Sequence, residues 1–263
     1  MKNKFKKALM RDFGKAARKY DEYAILQRNV ADKLFALSKQ FFSAENSVID
    51  IGCGTGYFHE LCRKNAFYFP ITQIDISPEM CEIAASYASS GKYGETTTIQ
   101  ADMDNIPLPE NSIKNAFSSL TIQWSQDLEN TLKEAHRILD KGGDFFASTL
   151  QNGTLHELEN SFSKLDRLTH INKFLSKNDI QNTFINCGFK NIKIIEDDII
   201  TYHDNLLSLL KQIKGIGANH KSSDKKFLGK DYFVKLEKIY QDSFANNGKL
   251  PSTWKVVYIT CQK

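Results

Sequence analysis

Val48, Ile49, Asp50 and Ile51 run directly into Gly52, Cys53, Gly54, Thr55 and Gly56. The apolar residues read as a buried parallel strand, and glycine at every second place reads as a loop that must approach a ligand closely. A glycine loop that leaves a strand and opens a helix is the layout of a nucleotide-type cofactor site. The dinucleotide fingerprint is G-x-G-x-x-G, with room for a pyrophosphate at the helix N-terminus. Here the third glycine comes one position early.

The flanking sequence alternates between strand and helix periods. Strands are expected at 47–51, 71–75, 96–100, 113–120 and 144–150. Helices are expected from near Tyr57, from Pro78 with Ser77 as N-cap, and over 128–139, closed by Lys141, Gly142 and Gly143. Such alternation implies an α/β fold, a parallel sheet covered on both faces. Ahead of it, Phe5, Leu9 and Phe13, then Leu26, Val30, Leu34 and Leu37, mark two helical pieces within 5–40, with a break between Gly14 and Tyr20. After residue 150 the alternation lapses into a short helix at 154–168, a helix capped by Ser176 and running to Asn186, a strand at 191–196, a lysine-rich helical insertion at 203–247 and a last strand at 253–261. The expected organisation is one domain over 1–263, with a helical arm at 1–42, a cofactor-binding half at 43–150 and substrate-side insertions at 151–175 and 203–247.

Bulk properties exclude several classes. A net charge of +4, spread along 263 residues, is too weak for a nucleic-acid stripe. No apolar run approaches the ~20 residues that cross a bilayer, so no membrane partner is expected. The basic start at Lys2, Lys4, Lys6 and Lys7 is not followed by a continuous apolar segment, as a signal peptide would be. Five cysteines, an odd number without C-x-x-C spacing, fit reduced thiols in a cytoplasmic protein with no metal site. Cys53 lies in the glycine loop, but nothing beside it suggests a thiolate nucleophile.

Two acids qualify the loop. Asp75 ends the second strand, nineteen residues past Gly56 (75 − 56), where a carboxylate can accept both hydroxyls of a ribose. Asp102 follows the third strand and can accept from an adenine amino group. Each alone has a plainer reading, Asp75 as a turn cap and Asp102 as an ordinary loop acid. With Asp50 they place a carboxylate at the end of each of the first three strands, along the edge where open α/β sheets bind ligands. Three carboxylates suit a cationic, phosphate-free nucleoside better than a pyrophosphate. S-adenosylmethionine fits that description.

The chain resembles the class I S-adenosylmethionine-dependent methyltransferases. The motifs run in order from Asp50 to Gly56, through Asp75, Ile76, Ser77, Pro78, Glu79 and Met80, to Ala101, Asp102 and Met103. They continue with Ile106, Pro107, Leu108 and Pro109, then His136, Arg137, Ile138 and Leu139. The resemblance implies a Rossmann-like, seven-stranded, mostly parallel sheet whose last strand is antiparallel beside strand five. It also implies helical lid insertions.

Segments outside that core resemble the malonyl-acyl-carrier-protein O-methyltransferase family of biotin synthesis. They are Phe13, Gly14, Lys15, Ala16 and Ala17 with Tyr20; Leu26, Gln27 and Arg28; Ile122, Gln123 and Trp124; Gly153 through Leu158; Asn172 through Leu175; and Lys214 through His220. This implies methylation of the free carboxylate of a malonyl thioester, on acyl carrier protein or coenzyme A. Such a carboxylate is ionised at neutral pH and needs no general base.

The expected cofactor set is Tyr20, Gln27, Arg28, Asp50, Gly52, Cys53, Gly54, Gly56, Asp75, Ile76, Met80, Asp102, Met103, Ser119 and Leu120. The expected catalytic set is Tyr20, Gln123, Trp124, Lys214 and His220, with one cation of the last pair orienting the malonyl carboxylate. Tyr20 and Trp124 read equally as core aromatics, Arg28 as a surface helical arginine and His220 as a structural histidine. Lys211, Lys214, Lys221, Lys225, Lys226, Lys230, Lys235 and Lys238 form either a solvated face or a dock for an acidic acyl carrier protein. The sheet motifs equally permit a methyltransferase for another small molecule or a non-catalytic cofactor-binding assembly factor. A nicotinamide dehydrogenase is disfavoured by the early third glycine.

Overall fold

The computed structural model describes residues 2–88, 95–166, 171–215 and 229–263. Its strands are β1 (Val48–Ile51), β2 (Ile71–Asp75), β3 (Thr96–Gln100), β4 (Ile113–Ser119), β5 (Leu139–Leu150), β6 (Lys190–His203) and β7 (Leu250–Gln262). Among the described residues they form one seven-stranded sheet in the order β3-β2-β1-β4-β5-β7-β6. The first five pair in parallel, and β7 runs antiparallel between β5 and β6.

The helices are α1 (Lys2–Ala16), α2 (Tyr20–Tyr23), α3 (Ile25–Ser38), α4 (Tyr57–Lys64), α5 (Pro78–Ala88), α6 (Leu128–Ile138), α7 (His156–Ser163), α8 (Lys177–Asn186), α9 (Leu206–Gly215) and α10 (Lys230–Phe244). Successive strand residues point to opposite faces, which splits the interior in two. Val48, Phe117, Phe146 and Tyr258 pack with α3, α4, α7, α9 and α10. Ile49, Ala116, Phe145 and Ile259 pack with α6 and α8.

The expected break between Gly14 and Tyr20 is present: α1 ends at Ala16 and a 3-10 turn spans Ala17–Lys19. Gly14 itself stays helical, and its missing side chain admits Glu79: a Cβ there would lie 2.3 Å from Oε2. The limits of β5 and β6 differ from the sequence expectation. β5 begins at Leu139, with Gly142 at φ +71 and a register shift against β4 where a separate turn is expected. β6 runs well past 196, since it is an edge strand: Asp197 is held by Lys33 at 2.7 Å and Asp198 by Lys255 at 2.8 Å.

Candidate active site

β1 and β4 are adjacent, and their connections lead to opposite sides of the sheet. Their carboxyl ends therefore form the switch point where open α/β sheets take ligands. The glycine loop rises from β1 at this point. Gly52, Gly54 and Gly56 all have left-handed φ, at +76, +54 and +90. The Gly52 and Cys53 amides both donate to the Ile74 carbonyl, at 2.8 and 2.9 Å. Two residues past β4, Thr121 Oγ1 donates to the Gly52 carbonyl at 3.3 Å. A Cβ on Gly52 would lie 2.2 Å from Thr121 Cγ2, so the two strand ends can close together only over glycine.

Asp75 anchors the loop. Its Oδ2 accepts from the Gly54 amide at 3.0 Å and its Oδ1 from the Ser77 amide at 2.8 Å. Burial pushes its carboxyl above the usual range, while these amides pull it back. Each oxygen keeps a second lone pair for a ligand hydroxyl.

A cavity of about 430 Å³ opens over this edge, within the size range of small-molecule sites. One half is walled by the loop, Asp75, Ile76, Met80, Asp102, Met103, Ser119 and Leu120. The other half is walled by α7, α9 and α10 and is mostly apolar. Lys6, Leu9 and Phe13 of α1 also line it. Phe13 meets Trp124 edge-on, with ring centroids 5.5 Å apart.

A model of the methyltransferase domain matches residues 49–147. Malonyl-[acyl-carrier protein] O-methyltransferase 1 of Ilyobacter polytropus is 33% identical over 263 residues, covering 98% of this chain and 95% of that protein. The chain belongs to the malonyl-[acyl-carrier protein] O-methyltransferase family. A second member, from Laribacter hongkongensis, is 30% identical and covers 94% of this chain and 85% of its own. The YcgJ protein of Bacillus subtilis shares the fold, with a TM-score of 0.64 at 19% identity over 88% of this chain and 97% of that one.

S-adenosylmethionine is the cofactor of this methyltransferase family, and the site suits it. The loop brings no phosphate-binding cation, each Asp75 oxygen keeps a lone pair beyond its one amide, and Gln27 presents a buried Oε1 without a partner on the same cavity wall.

Of the residues expected from the sequence, Tyr20, Gln27, Gly52, Gly54, Asp75, Ile76, Met80, Asp102, Met103, Ser119, Leu120, Gln123, Trp124 and Lys214 line this one cavity. Burial, then the charges of Asp75 and Asp21, push the Tyr20 hydroxyl well above its ordinary range, so it remains a donor. Asp102 is less free than expected: its Oδ2 takes Lys6 Nζ at 2.6 Å and its Oδ1 takes the Asp104 amide at 3.0 Å.

Four expected residues are not on the wall. Arg28 lies on a second cavity behind the loop, 3.4 Å from Asp21 and stacked 5.0 Å from the Tyr57 ring centroid. Gly56 also lines that second cavity; a Cβ on it would come within 3.2 Å of Ala84, so it serves the packing of α4 on α5. Asp50 is buried beside Val48 on the α3 and α4 face, where burial and Asp75 push its carboxyl well up. Cys53 is buried as well, with its thiol raised by burial and by Asp75. His220 lies outside the described residues.

The sequence reading missed Lys6, which it treated only as part of a basic start. It also missed the apolar residues Phe162, Ile213 and Phe233, which look like ordinary core positions until the helices are assembled. Leu155 and Leu158, at the centre and end of the Gly153–Leu158 motif, also line the cavity, and Leu155 joins Leu120 in the left-handed region, at φ 57 and 49. Such conformations cost about 1–3 kcal/mol each and gather at functional sites.

Proposed function

We propose that this chain transfers a methyl group to the free carboxylate of malonyl-acyl-carrier protein, giving the methyl ester that enters pimeloyl and biotin synthesis. The observation that carries the reading is the similarity to the Ilyobacter protein over the arm and the late insertion as well as the sheet. The cavity supports it chemically. The bound cofactor supplies an electrophilic methyl on a sulfonium. An ionised carboxylate is already a nucleophile, so the residues have to align it and strip its water. Tyr20 donates a hydrogen bond from a hydroxyl that stays protonated. Gln123, held by Thr149 Oγ1 at 3.4 Å, offers its amide. Phe13 and Trp124 close the cavity against water. Lys214 stands exposed at the mouth and meets the incoming negative charge.

The carrier protein docks, in this proposal, on the lysines of α9 and α10. Lys211, Lys214, Lys230, Lys235 and Lys238 are all exposed there; Lys221, Lys225 and Lys226 lie outside the described residues. The five buried free cysteines fit a reducing, cytoplasmic setting.

The test is incubation with methyl-labelled S-adenosylmethionine and malonyl-acyl-carrier protein. A base-labile methyl ester is expected. Tight cofactor binding without ester would overturn the reading in favour of a non-catalytic role.

A further inference from the structure

Trp254 reaches the cavity from β7, on the side away from the cofactor acids. The order β1-β4-β5-β7 sets β7 three places from the strand that carries the glycine loop, about 14 Å at the usual strand spacing. Asp75 ends β2 and Asp102 follows β3, on the opposite flank of β1. A nucleoside held by these acids leaves the β4, β5 and β7 side of the cavity to the acceptor.

A small polar cluster aims the indole. Thr201 of β6 stands opposite Ser252 of β7 in the ladder, and residues two apart share a face, so Thr201, His203, Ser252 and Trp254 meet. Trp254 Nε1 donates to Thr201 Oγ1 at 3.1 Å. Thr201 Oγ1 lies 3.1 Å from Ser252 Oγ and 3.1 Å from His203 Nε2, and Ser252 Oγ lies 2.9 Å from that same nitrogen. Burial holds the His203 pKa below its ordinary range, against a weaker opposing pull from Asp204, so the ring stays uncharged at neutral pH. With Nε2 bare the donors fall into one line: the indole N–H to Thr201, the Thr201 hydroxyl to Ser252, and the Ser252 hydroxyl to Nε2. A proton on Nε2 would reverse the last step and leave one hydroxyl without an acceptor.

Apolar side chains of the same shape would fasten β6 to β7 as well, and the ladder itself already runs from Lys193 to His203. What the cluster adds is direction, because an indole N–H bonds along one line. We infer that Thr201 is a positioning residue for the methyl acceptor, holding the Trp254 ring in the one orientation that shapes its part of the cavity. The inference rests on the carboxyl methyltransferase reading above.

Thr201→Val keeps the shape and removes the hydroxyl. The KM for malonyl-acyl-carrier protein should rise about tenfold, the size expected when a buried N–H loses its partner, while the calorimetric affinity for S-adenosylhomocysteine stays unchanged. Thr201→Ser, which keeps a hydroxyl, should return KM to the wild-type value. An unchanged KM in the valine variant, an equal loss of cofactor affinity, or a failed rescue by serine overturns the inference and leaves the cluster as a fastening between strands. His203→Leu removes the end of the line of donors and repeats the test, with the same split expected, if thermal melting shows that Thr201→Val is unfolded. No ester from the wild-type chain overturns the carboxyl methyltransferase reading, and the inference with it.

Discussion

Lys6, on the first helix, donates to Asp102 and Asp104 together, at 2.6 Å each. The contact joins an arm far away in sequence to the loop that follows β3, and it does so on the cofactor wall. Both acids raise the lysine pKa against the opposing effect of burial. The ammonium therefore stays charged and holds α1 across the cavity roof.

Replacing Lys6 with Met should loosen that roof. The pair is partly exposed, so its worth is discounted to about 1 kcal/mol. The expected result is faster proteolytic cleavage within 2–20 at an unchanged melting temperature for the rest of the chain. Cleavage at the wild-type rate would show that the hydrophobic contacts of α1 hold it unaided.

Asp75→Ala should weaken S-adenosylhomocysteine binding by about 1–3 kcal/mol, the range for losing hydrogen-bond acceptors at a buried site. Calorimetric titration reads this directly. An unchanged affinity would remove the ribose role from Asp75 and leave it as the cap of the Gly54 and Ser77 amides.

Two glycines of one loop should behave differently. An alanine at Gly54 meets nothing within 4 Å, so it bears only the left-handed backbone cost of about 1–2 kcal/mol. An alanine at Gly52 bears that cost and also collides with Thr121. Denaturant midpoints should fall further for Gly52→Ala than for Gly54→Ala, and cofactor affinity should follow the same order.

Buried Asp50 and buried His203 set opposite pH slopes. The Asp50 carboxyl is raised by burial and by Asp75, so its contribution is present below the unfolded carboxylate range and is lost as pH rises. Asp50→Asn should match the wild type near pH ~4 and melt higher at neutral pH. His203 is lowered by burial, with Asp204 acting weakly the other way. Its contribution is present above the unfolded histidine value of about 6.5 and is lost as pH falls below it. His203→Gln should flatten the acid side of the stability profile; a parallel profile would place the acid sensitivity elsewhere.

The cofactor half was legible because its geometry is local. A strand, a glycine loop and an acid at the next strand end are all short-range signals, and Gly52, Asp75 and Met103 do meet on one wall. Arg28 was not legible, because a single residue step, about 100° around a helix, decides whether a side chain faces the cavity or the far side of the loop. Gln27 faces the cavity and its neighbour does not. The β6 boundary failed for another reason: Asp197 and Asp198 look like a turn until Lys33 and Lys255, distant in sequence, neutralise them. The apolar half of the cavity was the least legible, since Phe162, Ile213, Phe233 and Trp254 come from four separate elements and carry no motif of their own.

The antiparallel β7 also sets the order of assembly. It supplies the ladder partners of both β5 and β6, yet among the sheet strands it is made last. During synthesis at roughly 5–20 residues per second, β1 to β5 can pair as they emerge, while β6 has no partner in the sheet. Trp254 and the apolar half of the cavity therefore form only when β7 slots between strands already made. Long-range closure of this kind is slow, so the cofactor edge is expected to mature on the ribosome before the substrate edge does.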